Sequence, residues 1–313
     1  MNKGNFIKKN IAVIAFLILI VFNCIFTQNF FSGITVTNLI VQASRVVLVS
    51  LGMSLVIATG GIDISVGSAM SLGAIISAIF LAKGEPLGIL LSIVIVLFAG
   101  YISGSLVSRF AILPMVATLA MRYIMRGMAK GISGRGTISY HNKDLTDFFM
   151  IHIAKYIPIQ FFIILIATVI MYLLVNKMKF GAYVEACGNN PVAARNNGIN
   201  TKRVVTMCYV ILAFLSWGSG MLEMGVVSSA NPATVGTDME LDAIAAVLVG
   251  GTPITGGYPN IIGAVFGAFI LQLINMMCNM NNVSSSVTLI IKAVIIVAAL
   301  FFHGLNKNKR KKG

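Results

Sequence analysis

Ten stretches of the chain are apolar over most of their length: 11–26, 38–58, 66–82, 88–107, 113–131, 157–175, 204–224, 241–250, 261–277 and 287–303. A helix needs about 20 residues to cross the hydrocarbon core of a bilayer, and a backbone in lipid must satisfy its own hydrogen bonds. The pattern therefore predicts an all-α membrane protein, a polytopic bundle of about eight to ten transmembrane helices in one domain covering residues 1–313. Eight of the stretches read as clear spans and two as ambiguous.

The apolar runs are interrupted in a patterned way. Gly60-Gly61-x5-Gly67 and Gly256-Gly257-x5-Gly263 share one spacing, and each introduces an apolar helix, at 66–82 and 261–277. Such breaks at matching points are a trace of duplicated halves in transporters, where interrupted helices line the route of the solute; glycine turns are also simply common in membrane proteins. Within the first break Asp63 stands between two apolar stretches, with hydroxyls at Ser65 and Ser68. A carboxylate beside lipid needs a cavity, a partner or a helix N-terminus, so the expectation is that Asp63 or Ser65 caps the helix from 66, with direct solute contact as the alternative.

Arg122, Arg126 and Lys130 recur every four residues on one helical face, which calls for water, lipid headgroups or acidic partners; snorkelling to an interface is the first reading, and a role in the pathway or in docking the alternative. Segment 223–242 holds four of the nine acids, Glu223, Asp238, Glu240 and Asp242. Asn231-Pro232 and Gly236 break any helix there, so it reads as a loop on the outer side that does not span, with Asp242 capping a short helix from Ala243 and contact with a binding protein as a second role. Segment 180–203 is polar between two spans and contains a short unit, Pro191 to Asn196, that begins with a helix-starting proline and is followed by the natural stop Gly198.

Composition agrees with the pattern: 58% of the 313 residues are hydrophobic and 10% charged, and the mean hydropathy is +0.93. The formal charge of +14 sits largely in clusters that membrane topology explains, so nucleic-acid binding is not expected. Basic residues assign to the cytoplasm the N-terminus, the stretch 176–203 and the tail 304–313, so both ends lie inside and the number of crossings is even. The loop 132–158, one span away, then faces outside. Lys3, Lys8 and Lys9 ahead of an apolar run imitate a secretory signal, yet no small-x-small cleavage site follows Phe26, so the run reads as a first anchor. Cys24, Cys187, Cys208 and Cys278 are far apart and read as packing residues. No GxxxxGK[ST] loop occurs, and His141, His152 and His303 are scattered, so neither ATP hydrolysis nor catalysis is expected of this chain, and no metal or cofactor.

Three separated motifs, GGIDISVGSAMSLGA at 60–74, EACGNNPVAARNNGIN at 185–200 and ELDAIAAVLVGGTPITGG at 240–257, resemble the ribose-type permeases of bacterial ATP-binding-cassette (ABC) importers along nearly the whole length. The resemblance implies a bacterial plasma-membrane permease for a monosaccharide or related solute. It implies pairing with a second permease copy or paralogue, with cytoplasmic ATPase subunits that carry ATP and Mg, and with an extracellular or periplasmic solute-binding protein. Glu185, Gly188, Pro191, Ala194, Arg195 and Gly198 would couple the chain to the ATPase. Gly60, Gly61, Asp63, Ser65, Gly67, Asp242, Gly256 and Gly257 would form the helix breaks or the solute path. Similar permeases usually carry further glycine after the second pair, where this chain has Tyr258-Pro259-Asn260. Rival readings are an ion-driven secondary transporter and, within the ABC permeases, one for nucleosides or branched-chain amino acids.

Overall fold

The structure is a computed structural model that describes residues 11–27, 30–154, 156–295 and 297; the basic N-terminal cluster and the tail 304–313 lie outside them. The helices are α1 (Ile11–Phe26), α2 (Gly33–Ala58), α3 (Val66–Ala82), α4 (Leu87–Ser108), α5 (Pro114–Ile132), α6 (Lys143–Met150), α7 (Ile159–Asn176), α8 (Lys179–Asn189), α9 (Pro191–Asn196), α10 (Thr201–Val227), α11 (Met239–Val249), α12 (Ile261–Met280) and α13 (Ser285–Ile295). Two small antiparallel pairs occur in the connections. β1 (Ile138–Ser139) pairs with β4 (Ser229–Ala230), and β2 (His152–Ala154) with β3 (Ile157–Pro158).

Helix starts follow local chemistry. The Ser32 hydroxyl accepts from Thr35 N at 3.1 Å, the Asn200 side chain from Arg203 N at 3.1 Å, and Pro114 occupies the first turn of α5, where its missing N–H costs nothing. Among the described residues five helices, α2, α4, α7, α10 and α12, are long and apolar enough to cross a membrane. Over its most apolar stretch α2 is 78% buried and α7 only 22%, which puts α2 in the core and α7 on the rim. The rim helices α4 and α7 turn Leu90, Val94, Phe98, Ile166 and Val169 outward, as a lipid-facing surface requires. At the centre α10 packs against α2, α3 and α4, and Gly52 on α2 lets the α10 backbone at Leu212 approach so closely that a methyl would not fit.

The bundle has two distinct ends. One carries both strand pairs, the start of α2 and the end of α12, whose neighbour Asn281 donates to Thr27 beyond α1; it is called the hairpin face here. The other carries α8 and α9. The loop 132–158 and the segment after α10 meet through β1 and β4, so the two connections expected on one side share it. The stretch 176–203, expected as a polar connection with one short helix, holds two helices: Asn189 ends α8 and Pro191 starts α9. The ambiguous stretch 241–250 begins earlier, at Met239, and with 11 residues α11 rises only about 16 Å. It cannot span. The chain enters from the hairpin face as segment 228–238, turns into α11 in mid-bundle and continues to the α9 face, so segment and helix together make one broken crossing. Asp242 lies inside its first turn, and the residue before the helix is Asp238, with no side-chain cap; the expected cap by Asp242 is therefore corrected.

Candidate functional site

The three sequence motifs converge at the α9 face. Gly60 (φ +82°), Gly256 (φ +86°) and Gly257 (φ +122°) sit in backbone conformations that side chains rarely adopt. The N–H of Gly257 donates to the carbonyl of Ala58 at 2.8 Å, tying the second break to the end of α2. Gly188, near the end of α8, lies against both: a Cβ there would collide with the Ala58 carbonyl oxygen and with Gly257 N. Two residues on, the Asn190 side chain accepts from Val192 N at 3.1 Å and Ala193 N at 3.0 Å and so starts α9. Pro191 opens this helix, Ala194 is its buried anchor, Arg195 and Val192 face outward, and Gly198 (φ +80°) ends it. Glu185 is half-buried one turn before the junction. Burial lifts the Cys187 thiol above its ordinary range, in keeping with a packing role. After the second break Asn260 stitches the turn: its N–H donates to Thr252 Oγ1 (3.0 Å), its amide to Gly250 O (2.8 Å), and its side-chain oxygen accepts from Gly263 N (3.0 Å) as the cap of α12.

In the first break Asp63 is 4% exposed. Its Oδ1 accepts from the Ser65 N–H at 2.7 Å and from the Ser65 hydroxyl at 2.6 Å. Ser65 stands at the cap position of α3, but its hydroxyl is spent on Asp63 and makes no cap bond. The carboxylate thus shapes the turn that enters the helix, which corrects the expected capping of α3 by either side chain. The cavity lined by Asp63, Ser65 and Ser216 is about 10 Å3, the room of one water. Gly61 packs on the Tyr209 hydroxyl oxygen, and Gly67 lies backbone to backbone on Gly236 of segment 228–238.

The arginines of α5 do not snorkel. Arg122 Nη1 lies 2.6 Å from Glu240 Oε1. Arg126 donates to the carbonyl oxygens of Pro232 (2.9 Å), Val235 (2.7 Å) and Gly236 (3.5 Å). Lys130, further along the same face, is exposed.

Toward the hairpin face a polar cleft of about 210 Å3 opens among α2, α10, α11 and α12. Gln42, Arg45, Glu223, Thr237, Asp242, Gln272, Asn275 and Asn279 line it, with Val46 and Met239 as apolar members. Gln272 donates to Gln42 Oε1 at 2.7 Å, and Asn275 to Gln272 at 3.4 Å, forming an amide ladder. The three formal charges of the lining are all paired: Arg45 with Glu223 at 3.6 Å within it, and Asp242 with Lys292 of α13, outside the lining, at 2.7 Å. Of the residues expected on the path, Asp242 reaches this cleft while Asp63 and Ser65 do not. Most of the lining escaped the sequence reading, although Gln272, Asn275 and Asn279 at i, i+3 and i+7 mark one polar stripe on an apolar helix.

Comparison with known proteins follows the same line. Residues 35–300 match the family described as branched-chain amino acid transport system / permease component. The ribose import permease protein RbsC of Escherichia coli K12 is 33% identical over 294 residues, 92% of this chain and 91% of that protein. The fructose import permease protein FruF of Bifidobacterium longum is 30% identical over 335 aligned positions, 99% of this chain and 94% of that one. The galactose/methyl galactoside import permease protein MglC of E. coli K12 is 30% identical, with 99% of each chain covered. No solved structure matches the chain. A bundle with two glycine-broken segments, a short exposed helix beside their junction, and a family match across nearly all of its length place this chain in the permease family of the bacterial ABC importers, among the ribose-type import permeases.

Proposed function

We propose that this chain forms the translocation path for a neutral monosaccharide or related sugar-like solute in an ATP-driven importer. The observation that carries the solute class is the cleft: amides and hydroxyls face the space, and each of its three formal charges has an ion-pair partner. Neutral polyols exchange water for such donors and acceptors at little loss, whereas an ion would face paired groups and pay its desolvation. A branched-chain amino acid brings a carboxylate, an ammonium and an apolar side chain, for which this lining offers no free counter-charge and little apolar wall. The names of the relatives, import permeases for ribose, fructose and galactose, support the same class. An ion-driven transporter would need a free acid relay, but Glu223 is engaged by Arg45 and Asp63 by Ser65.

Energy then comes from a partner. We assign α9, with Val192 65% exposed, as the element that docks on a cytoplasmic ATPase carrying ATP and Mg. On this assignment we propose both termini in the cytoplasm and the hairpin face toward a solute-binding protein, with a second permease copy or paralogue completing the path. The test is uptake of a labelled panel of monosaccharides, nucleosides and branched-chain amino acids into cells that express the chain with its neighbouring ATPase and binding-protein genes. Uptake of a sugar that vanishes with an inactive ATPase is expected; ATPase-independent uptake, or uptake of an amino acid alone, overturns the reading.

A further inference from the structure

The cleft ends on the non-helical half of the broken crossing, segment 228–238. Thr234, Gly236, Thr237 and Met239 close its inner end, and behind them the way to the α9 face is filled. Gly236 is seated on Gly67 of α3 backbone to backbone, and Gly250 just beyond α11 is seated on Gly263 of α12 in the same manner. A solute in the cleft therefore advances only if segment 228–238 or α11 moves. What holds them is α5. The Arg126 guanidinium spreads over three carbonyls of the segment, those of Pro232, Val235 and Gly236. One turn earlier on the same face, Arg122 holds Glu240, which is 4% exposed, in the first turn of α11. From the cleft side Glu223 accepts from Gly236 N at 3.4 Å. All of Arg126's partners here are backbone groups, so its grip fixes the path of the segment independently of the side chains it carries. A shift of α5 by part of a turn would break the Arg126 and Arg122 contacts together.

We propose that Arg126 and Arg122 are positioning residues for transport: they latch the broken crossing, segment 228–238 with α11, as the closed floor of the cleft, and solute passes when the latch opens. This rests on the permease reading above, but its test does not need ATP. Proteoliposomes holding the chain with its ATPase subunits are loaded with labelled ribose, and passive release is followed without nucleotide. ATP-driven uptake is measured alongside with the binding protein added. With Arg126→Ala, release is expected to rise by about tenfold or more, the scale of losing one charge-assisted hydrogen bond, and uptake to fall by a similar factor. Arg126→Lys keeps a cation and three donors and recovers part of both. Where Arg126→Ala does not reach the membrane, Glu240→Gln opens the second contact and is expected to leak less strongly. Variants that insert normally and release ribose at the parental rate overturn the latch. So does lowered thermal stability with unchanged release, the signature of a merely structural role. Failure of the unmodified chain to show any ATPase-dependent uptake counts against the permease reading instead, and the release measurement still decides the latch.

Discussion

Asp242 and Lys292 meet at 2.7 Å with 21% and 14% of their side chains exposed. In a partly desolvated setting, removing one member leaves the other charged and alone, which costs more than the pair is worth as a pair. Asp242→Asn is therefore expected to destabilise the chain by roughly 1–3 kcal/mol, discounted for its partial exposure, while the double variant Asp242→Asn with Lys292→Gln recovers most of the loss. Thermal unfolding of the detergent-purified chain followed by its tryptophan fluorescence checks this, and additive losses would show that the two groups do not depend on each other. The glycine contacts act at the same scale through exclusion. Gly188 is not tolerant of even a methyl, because both atoms it would strike belong to backbone that cannot turn aside.

At the scale of elements, α9 is a six-residue helix held by its ends: Asn190 caps its start, and Gly198 takes the left-handed turn after it. Gly198→Ala costs about 1 kcal/mol in that conformation, enough to loosen a helix this short. Gly198→Ala, Arg195→Ala and Val192→Asp are each expected to lower ATP-driven uptake with membrane insertion intact. Val192→Asp in addition loses co-purification of the ATPase, and retention of the ATPase by that variant would exclude α9 as the docking element. This helix was legible before the structure because proline, asparagine and glycine mark its ends within one short stretch. The spans were legible because lipid leaves only long apolar helices as a solution, and α2, α4, α7, α10 and α12 each contain their expected stretch or nearly all of it. The start of α11 was not. Glu240 looked like loop composition until Arg122, more than a hundred residues away, supplied its partner. For the same reason the charge stripe on α5 read first as interfacial, with acidic partners as one option that Arg122 bears out; nothing local says that carbonyls of a distant segment will meet Arg126. The amide stripe of α12 was readable by spacing, yet a mean over the stretch averaged it into an apolar span.

For the whole molecule, the cleft opens toward one end and the α8–α9 surface forms the other, so the two should be reachable from opposite sides of the membrane. In a Cys24→Ser background, Asn279→Cys is expected to react with a membrane-impermeant maleimide added outside intact cells, and Val192→Cys only after the membrane is opened. Cys208 and Cys278 are buried and remain unlabelled in both. Labelling of both engineered thiols from outside would invert or void the assignment of faces. The Tyr140 hydroxyl, buried and donating to Met224 O at 3.2 Å, pins the loop after α5 to α10, and burial pushes it up to about 12, so this tie persists across the range in which such assays are run.

The self-cancelling charges of the cleft carry one more implication, for energetics across the bilayer. Moving one elementary charge through a membrane potential of 100 mV is worth about 2.3 kcal/mol. Here Arg45 is paired with Glu223 and Asp242 with Lys292; where each pair stays together, a neutral solute adds no charge to either. The step in which the cleft changes sides would then be electrically silent, and the importer would work as well in a cell whose membrane has been depolarised as in one fully energised, drawing its direction from nucleotide alone.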